Sequence, residues 1–267
     1  MSNPLLILAC GKMTNETIGQ QWYLIYKFLN KNCSQVFVAL LIFISDSYFH
    51  FNLSGVRQAI SLAIVCYAIN CFIDRKYILY IILTLLASSF HISALIALLI
   101  FLIPRNSRNI YSHILIIFPM LIFSVIIFNN YPIDLLEEKI TYYLSNNESA
   151  TISSFLLGII RRIIPLIIII YFWPKFKLVQ NIQFFINIYL VGLVIYLILY
   201  WISVDFATRL SIYFLIFECI IISNIIFNIK SLTSRVIIVT FYFVVMGVKV
   251  FLINSNPTYQ YQLNYII

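Results

Sequence analysis

The sequence is short of charge. Only 10% of its 267 residues are Asp, Glu, Lys or Arg, whereas 63% are hydrophobic. Soluble domains carry about 25% charged and about 45–50% apolar residues. A soluble core could not bury this much apolar side chain, so the composition excludes a soluble globular domain. It indicates an integral membrane protein whose chain crosses the bilayer several times.

The sequence also lacks the marks of several common binding sites. Its five cysteines show no metal-ligand spacing, and no D-x-D motif, His/Cys cluster or nucleotide-binding glycine loop is visible. We therefore expect no cofactor and no obligatory metal. The net charge of +8 comes from short basic clusters between apolar runs, an arrangement that is typical of topology determinants and not of nucleic-acid surfaces. No cleavable signal peptide and no internal repeat is visible.

Apolar runs make up most of the chain. A helix needs about 20 apolar residues to cross a bilayer, and most of the runs come close to this length. We predict an all-α, polytopic bundle of about eight membrane segments, in a single integral membrane domain over residues 1–267. The main polar segment, 131–154, carries four acids and one lysine and is predicted to be the main extracytoplasmic loop. The apolar runs fall at 33–50, 56–73, 77–103, 113–130, 155–173, 182–202, 207–228 and 235–253.

The basic clusters predict the orientation of these segments, because cytoplasmic loops carry an excess of Lys and Arg. If every cluster is cytoplasmic, each run can cross the membrane once except 77–103. This run has basic residues at both ends, so both of its ends lie on the cytoplasmic side. We expect this run to be a re-entrant or bent hairpin of two half-helices, 77–90 and 92–103, each about 20 Å long, with His91 at the tip. The basic clusters are Lys27/Lys31, Arg75/Lys76, Arg105/Arg108, Lys175/Lys177 and Lys230/Arg235.

Charged side chains stand near the outer ends of several runs. Arg57 begins one of them, where snorkelling to the interface is an equally good explanation. Arg209 has Asp205 four residues before it and Tyr213 four after, so a helix places all three on one face, where a local ion pair is the simpler alternative. Glu218 lies in apolar surroundings and could pair with a basic group that the sequence does not identify.

Two adjacent arginines, Arg161 and Arg162, lie a turn or two inside the run that follows the acidic loop. Either this span starts late or the arginines pair with Glu137 and Glu138, and we expect Pro165 to break the helix nearby. All the intramembrane basic residues fall toward the outer side, where a partly dehydrated basic cavity would attract an anion such as phosphate. The set comprises Arg57, His91, Arg161, Arg162 and Arg209.

The stretches "SGVRQAIS" and "ASSFHISAL", joined by a short basic loop, carry a family resemblance. They match a pattern of N-x-x-R-Q at a helix start followed by A-x-x-F-H-x-S-A-L, and a later R-x-x-x-Y-F is matched as well. The chain thereby resembles the EpsG/Wzy family of bacterial polysaccharide polymerases, which make O-antigen, capsule and exopolysaccharide. The matching residues are Arg57, Gln58, Ala63, Arg75, Lys76, Ala87, Phe90, His91, Ser93, Ala94, Leu95, Arg209, Tyr213 and Phe214.

The chain departs from the family pattern in two places. Ser54 stands where the family has asparagine. The additional helices and the D-x-x-x-Y loop that the family carries before this point are not seen. We therefore expect either a divergent start or an N-terminally truncated chain.

The resemblance implies a glycosyltransferase at the outer face of the bacterial cytoplasmic membrane. Such an enzyme joins oligosaccharide repeat units that are carried on undecaprenyl diphosphate, so its partners would be the lipid-linked donor and acceptor and the bilayer. A chain-length regulator and a flippase are further expected partners, and nucleic acid is not. Arginines near the leaving diphosphate would stabilise the negative charge that develops on it.

The resemblance also suggests a role for each candidate residue. His91, Arg57 and Arg209 are the catalytic candidates, with His91 as general acid or base or as a hydrogen-bonding partner of diphosphate or sugar. Arg57, Arg209 and Arg161 would bind the diphosphate. Asp205 is a weaker candidate for the base, as is Glu138. The residues expected to contact substrate are Gln58, Arg161, Arg162, Tyr213, Asp205 and Glu138.

The sequence leaves three other functions open. A transporter or flippase of lipid-linked oligosaccharide also uses discontinuous helices and a cationic cavity, but it should show an internal repeat. An O-antigen ligase uses the same donor with a different acceptor. A membrane acyltransferase with a catalytic histidine would need a second polar motif for its acyl donor, which the sequence does not show.

Overall fold

The computed structural model describes residues 15–45, 56–105, 152–176, 181–200 and 203–255. Within these ranges every regular element is a helix, which confirms the predicted all-α class. The helices are α1 (Asn15–Asn32), α2 (Val36–Phe43), α3 (Val56–Ile73), α4 (Tyr77–Phe90), a 3₁₀ helix (Ile92–Leu102), α5 (Ile152–Phe176), α6 (Ile182–Tyr200), α7 (Val204–Leu215), α8 (Glu218–Asn228) and α9 (Leu232–Ser255).

Two of the described helices are long and apolar enough to cross a membrane. They are α3 and α6, with mean hydropathies of 1.7 and 2.3. A third span results if α7 and α8 count as one segment, although they are bent by 44°. The predicted total of about eight segments is therefore not confirmed, and the predicted run 113–130 lies outside the described residues.

The chain divides into two compact units. Unit 1 comprises Met1–Leu98 and Ile222–Ile267, and unit 2 comprises Leu99–Ile221. In unit 1, α3 packs against both α1 and α4, and α9 contacts α2. Small residues such as Ala59, Ala63 and Ala68 are almost fully buried along α3, and small side chains let neighbouring membrane helices approach closely. The prediction of a single membrane domain over the whole chain stays a prediction.

A sharp turn reverses the chain between α3 and α4. The amide of Lys76 donates to the Cys71 carbonyl at 2.8 Å, and that of Arg75 donates to the Phe72 carbonyl at 3.1 Å. These bonds form a Schellman motif, in which Arg75 adopts the left-handed position with φ of 63°. Because α4 leaves this turn packed on α3, the two helices run antiparallel.

The predicted hairpin at 77–103 is confirmed as a broken, folded-back element. Helix α4 ends at Phe90, His91 is extended (φ −151°, ψ 115°), and the 3₁₀ helix begins at Ile92. The Tyr80 hydroxyl donates to the Ala97 carbonyl at 2.5 Å. In a straight helix these residues would lie roughly 25 Å apart, so the two halves must lie side by side. Re-entry of this hairpin into a membrane stays a prediction.

A partly buried polar network, which we call the anchored end, joins α1, α2, α3 and α8 in unit 1. The Asn224 amide nitrogen donates to the Asn32 carbonyl at 2.9 Å, while its oxygen accepts from the Ser34 amide and hydroxyl at 2.9 and 2.8 Å. Asn32 in turn donates to Asn70 at 2.7 Å, and Ser223 donates to the Gln35 carbonyl at 2.7 Å. The C-terminal ends of α1, α3 and α8 therefore meet in one place.

The anchored end also gathers three of the predicted cytoplasmic basic clusters. Lys31 pairs with Asp74 at 2.5 Å, next to Arg75 in the turn after α3. Arg235 donates to the Ile229 carbonyl at 2.5 Å, just beyond the end of α8. Within unit 1 the clusters at the ends of α1, α3 and α8 thus share one end, as the loop charges predict.

In unit 2, α6 packs along α7, and α5 contacts α6. Gly192 permits the close approach of α7, because a Cβ at this position would lie 2.6 Å from the Phe214 Cβ and 3.1 Å from the Leu215 nitrogen. At the far end of α6 from Tyr200, the Asn187 side chain donates to the Pro104 carbonyl at 2.7 Å, and the Arg105 guanidinium lies 5.9 Å from the Phe184 ring.

The apolar run 207–228 contains a bend, because i→i+3 bonds tighten the chain at Ile216 and Phe217 and α7 and α8 meet at 44°. One helix prediction in unit 2 is wrong. Pro165 does not break α5, which continues from Ile152 to Phe176. A proline removes the hydrogen bond to the carbonyl four residues earlier and disturbs that turn. The Tyr189 hydroxyl donates to the neighbouring Arg162 carbonyl at 2.9 Å and so supports the disturbed turn.

Candidate functional site

The candidate residues of unit 1 collect at the end opposite to the anchored end. The Phe72 and Tyr80 rings lie 5.1 Å apart, which aligns the antiparallel helices α3 and α4 at this level. From there Arg57 lies about 22 Å along α3 and His91 about 17 Å along α4, at 1.5 Å per residue. Arg57, Gln58 and His91 therefore lie within about one helical turn of the same level.

His91 occupies the break between α4 and the 3₁₀ helix. Its amide donates to the Ala87 carbonyl at 3.2 Å, and its own carbonyl accepts from the Ala94 amide at 3.0 Å. Its Nδ1 is 2.5 Å from the Ser93 hydroxyl. These bonds fix the backbone and the ring of a half-buried histidine at the tip of the hairpin. A histidine with a fixed ring orientation is suited to proton transfer or hydrogen bonding with a ligand.

The neighbours of His91 in the unit 1 group differ in exposure. Arg57, in the first turn of α3, is exposed, whereas Gln58 beside it is only 2% exposed. An exposed arginine at a helix end agrees with snorkelling and with ligand binding alike. Its role therefore stays a prediction.

In unit 2 two residues hold the Arg162 side chain and a third holds its backbone carbonyl, and we call this arrangement the Arg162 clamp. The guanidinium carbon lies 3.5 Å from the centre of the Tyr196 ring, so the cation stacks on the ring. Its Nη1 donates to the Gly158 carbonyl at 2.8 Å, and its backbone carbonyl accepts from Tyr189. Its Nε is buried and has no hydrogen-bond partner in the part of the chain that the structure describes.

Arg161 and Arg162 are the tenth and eleventh residues of α5, so the helix itself begins well before them, while the point at which it enters a membrane stays a prediction. Both interact electrostatically with Glu218, which is 7% exposed in the first turn of α8. The sequence predicts that Glu218 is buried but does not identify its basic neighbours. The alternative partners, Glu137 and Glu138, lie outside the described residues.

Arg209 forms the expected ion pair within α7. Its Nε lies 2.8 Å from Asp205 Oδ2 and 2.9 Å from Oδ1, and both side chains are about one-third exposed. Asp205 lies in the first turn, behind an N-cap in which the Ser203 hydroxyl accepts from the Phe206 amide. Tyr213 is fully buried one turn further along the helix. The predicted i,i+4 pairing is thus confirmed, and it keeps Asp205 beside the arginine.

Arg162 and Arg209 lie at a similar level of unit 2. From the close approach of Gly192 to Phe214, Tyr196 lies about 6 Å toward the end of α6, and Arg209 lies about 8 Å toward the start of α7. Because Arg162 stacks on Tyr196, its guanidinium lies near the level of Arg209. Two arginines thus lie one to two turns below the end where α6 stops and α7 begins.

The structure therefore assembles the candidate residues in two groups, one in each unit. Arg57, Gln58 and His91 belong to unit 1, and Arg161, Arg162, Asp205, Arg209 and Tyr213 belong to unit 2. Glu138 and the loop 131–154 lie outside the described residues. Among the described residues, no group of three or more His, Cys, Asp or Glu side chains could hold a metal ion.

Sequence reasoning missed the residues that hold Arg162. Gly158 could have been noticed, since it precedes Arg162 by four residues and lies on the same helical face. Tyr189 and Tyr196 gave no signal, because α6 is apolar nearly all round and its sequence does not reveal which face meets α5.

No curated protein matches the chain, and no solved structure matches it. One family model does match, that of the EpsG family, over residues 18–266. Because this match covers nearly the whole chain, the protein belongs to the EpsG family.

Proposed function

We propose that this protein is a membrane polysaccharide polymerase that joins oligosaccharide repeat units carried on undecaprenyl diphosphate, at the outer face of the bacterial cytoplasmic membrane. Membership of the EpsG family suggests a polysaccharide-polymerase-like role. The lipid-linked donor, the acceptor and the side of the membrane are parts of the proposal.

The observation that carries the proposal is the pair of arginines at one level of unit 2. Arg162 lies on a tyrosine ring with its Nε unpartnered among the described residues, and Arg209 is held by Asp205. Arginine binds phosphate oxygens through its planar fork of N–H groups. In a dehydrated site, fixed cations stabilise a negative charge far more than they would in water.

In the proposed reaction, the bond between the anomeric carbon of the growing glycan and a diphosphate oxygen breaks. A hydroxyl oxygen of the incoming repeat unit forms the new bond to that carbon, and its proton passes to a base. The lipid diphosphate leaves with the bonding electrons, and its added negative charge falls to Arg162 and Arg209, with Arg161 behind them. The sequence resemblance makes His91 the first candidate for the base and Asp205 the second, and Asp205 lies beside Arg209 within unit 2.

Arg57 and Gln58 are assigned to the same reaction through their position near His91. Arg57, which is exposed, is a candidate for diphosphate binding on the sequence resemblance. Tyr213, which is fully buried, is assigned to the wall of the substrate site.

The proposal is tested by deleting the gene and complementing it with single variants. The deletion strain should carry surface glycan of a single repeat unit, and the unaltered gene should restore the ladder of long chains. His91→Ala, Arg57→Ala and Arg209→Ala should reach the membrane at normal abundance without restoring the ladder. Ser89→Ala is the matched control for His91→Ala, since Ser89 bonds only the Leu86 carbonyl of its own helix. Normal ladders from all three variants would refute the site.

A flippase is the second candidate, because the bend between α7 and α8 resembles the discontinuous helices of transporters. The deletion strain distinguishes the functions. Loss of all surface glycan with lipid-linked units retained inside the cell indicates a flippase. Long chains that remain on the lipid carrier indicate a ligase. A surface glycan that stops at one repeat unit indicates the polymerase.

A further inference from the structure

We propose that Tyr196 is a positioning residue for Arg162 and that Gly158 leaves the space in which this pairing forms. This inference rests on the proposed function, because it assigns Arg162 to the lipid diphosphate. Tyr196 would not touch the substrate itself. It would orient the guanidinium group that does.

The clamp fixes the face and one edge of the Arg162 guanidinium, through the Tyr196 ring and the Gly158 carbonyl. A guanidinium that stacks on a ring by its face directs its N–H groups outward in its own plane. Nη1 is taken by the Gly158 carbonyl at 2.8 Å, whereas Nε has no hydrogen-bond partner among the described residues. A buried donor without a partner is costly, so such a group calls for an explanation. An oxygen of an anionic ligand beside Nε would provide the missing partner.

The stacking contact is strong enough to control this orientation. A cation over an aromatic ring contributes more when both are removed from water, and Tyr196 is only 2% exposed. The Tyr196 and Tyr200 rings also lie edge to face, 5.5 Å apart, which restrains the Tyr196 ring. Without the ring, the long arginine side chain would regain its rotational freedom.

Gly158 leaves room for the Tyr196 ring in the Arg162 clamp. A methyl group on Gly158 would clash with the Tyr196 hydroxyl oxygen, while it would lie 3.5 Å from the ring carbon that bears this hydroxyl, an ordinary contact. Gly158 lies in α5, where alanine favours a helix more than glycine does. Gly158→Ala should therefore displace the tyrosine without destabilising the helix.

The first test measures binding of undecaprenyl diphosphate to the purified full chain in lipid nanodiscs. Tyr196→Leu should raise the Kd about tenfold, which corresponds to about 1.4 kcal/mol. Tyr196→Phe keeps the ring and should stay within about threefold of the unaltered protein. Phe185→Leu is the packing control, because Phe185 is equally buried in α6 but stacks on Phe217 instead of an arginine. In an Arg162→Ala background, Tyr196→Leu should change the Kd less than twofold.

The second test is a rescue. Gly158→Ala alone should weaken binding about as much as Tyr196→Leu, and adding Tyr196→Phe should restore it, because phenylalanine lacks the clashing oxygen. Equal losses for Tyr196→Leu and Phe185→Leu, or failure of Tyr196→Phe to rescue Gly158→Ala, would overturn the positioning role. That result would leave the proposed function intact if the unaltered chain still polymerises repeat units in the same nanodiscs. Binding without polymerisation would instead reject the proposed function, and absence of both would reject both proposals.

Discussion

The anchored end of unit 1 and the Arg162 clamp of unit 2 are both polar sites among apolar helices, but they differ in how completely their hydrogen bonds are formed. At the anchored end, Asn224 uses both its amide nitrogen and its oxygen. At the clamp, Arg162 Nε lacks a partner among the described residues. Satisfied polar networks hold a fold together, whereas an unpartnered buried group calls for an explanation such as a bound water or ligand.

The comparison predicts different consequences of mutation in the two regions. Changes at the anchored end should lower stability and leave the activity of each folded molecule unchanged. Changes at the clamp should lower the activity of each folded molecule and leave stability nearly unchanged. Equal losses of stability and activity in both regions would contradict this distinction.

The largest expected effect concerns orientation, because the anchored end should face the cytoplasm and the start of α7 should face outward. In a variant whose five native cysteines are replaced, Val204→Cys should react with an impermeant maleimide on intact cells. Lys76→Cys should react only after permeabilisation, because basic loops stay inside.

Arg105→Cys extends this test to the far end of the hairpin and should behave like Lys76→Cys. Labelling of Lys76→Cys or Arg105→Cys on intact cells would contradict the predicted orientation. Failure of Val204→Cys to react on intact cells would contradict it as well.

The next largest effect should come from Arg162→Ala. Removal of one fixed donor to a developing negative charge costs roughly 100-fold in rate or more. Polymerisation by the purified chain should fall by about this factor, while membrane abundance stays normal. Arg162→Lys keeps the charge but loses the planar fork, so it should restore little activity.

Arg105→Ala is the matched control for this loss. Arg105 also lies near an aromatic ring of α6, Phe184, but at the other end of unit 2. A loss of activity as large as that of Arg162→Ala would show that arginine–aromatic contacts in this unit act through folding.

Asn224→Ala should have a smaller effect, and on stability instead of activity. It removes the bonds to the Asn32 carbonyl and the Ser34 amide, which are partly buried, and each lost hydrogen bond costs about 1 kcal/mol. The melting temperature should fall by roughly 5 °C. Asn228→Ala, on the same helix, removes only a bond to the Asn224 carbonyl and is the control. Unchanged melting of Asn224→Ala would mean that the network does not anchor the helices.

Local patterns and loop charges predicted several parts of the structure. The bounds of α3 and the break at His91 follow from run length and from basic residues on both sides of 77–103. The Asp205–Arg209 pair follows from i,i+4 spacing. These features depend on residues close together in the chain, so a single sequence contains the information needed to predict them.

The contacts between helices could not be predicted in the same way. Asn224 bonds Ser34 across 190 positions of the chain. Tyr196 meets Arg162 from another helix, and α6 is apolar nearly all round, so hydrophobic periodicity does not define its contact face. The bend at Ile216 contains neither glycine nor proline, which are the residues that would have indicated it.

The smallest effect should come from the Lys31–Asp74 ion pair, which lies beside the anchored end but outside its polar network. Their side chains are 39% and 40% exposed, and exposed pairs contribute at most about 1 kcal/mol. A double-mutant cycle with Lys31→Ala and Asp74→Ala should therefore give a coupling energy below about 1 kcal/mol. At about 1 M NaCl this coupling should disappear, because salt screens exposed charges. A larger coupling that resists salt would show that the Lys31–Asp74 pair belongs to the polar network of the anchored end instead of lying outside it.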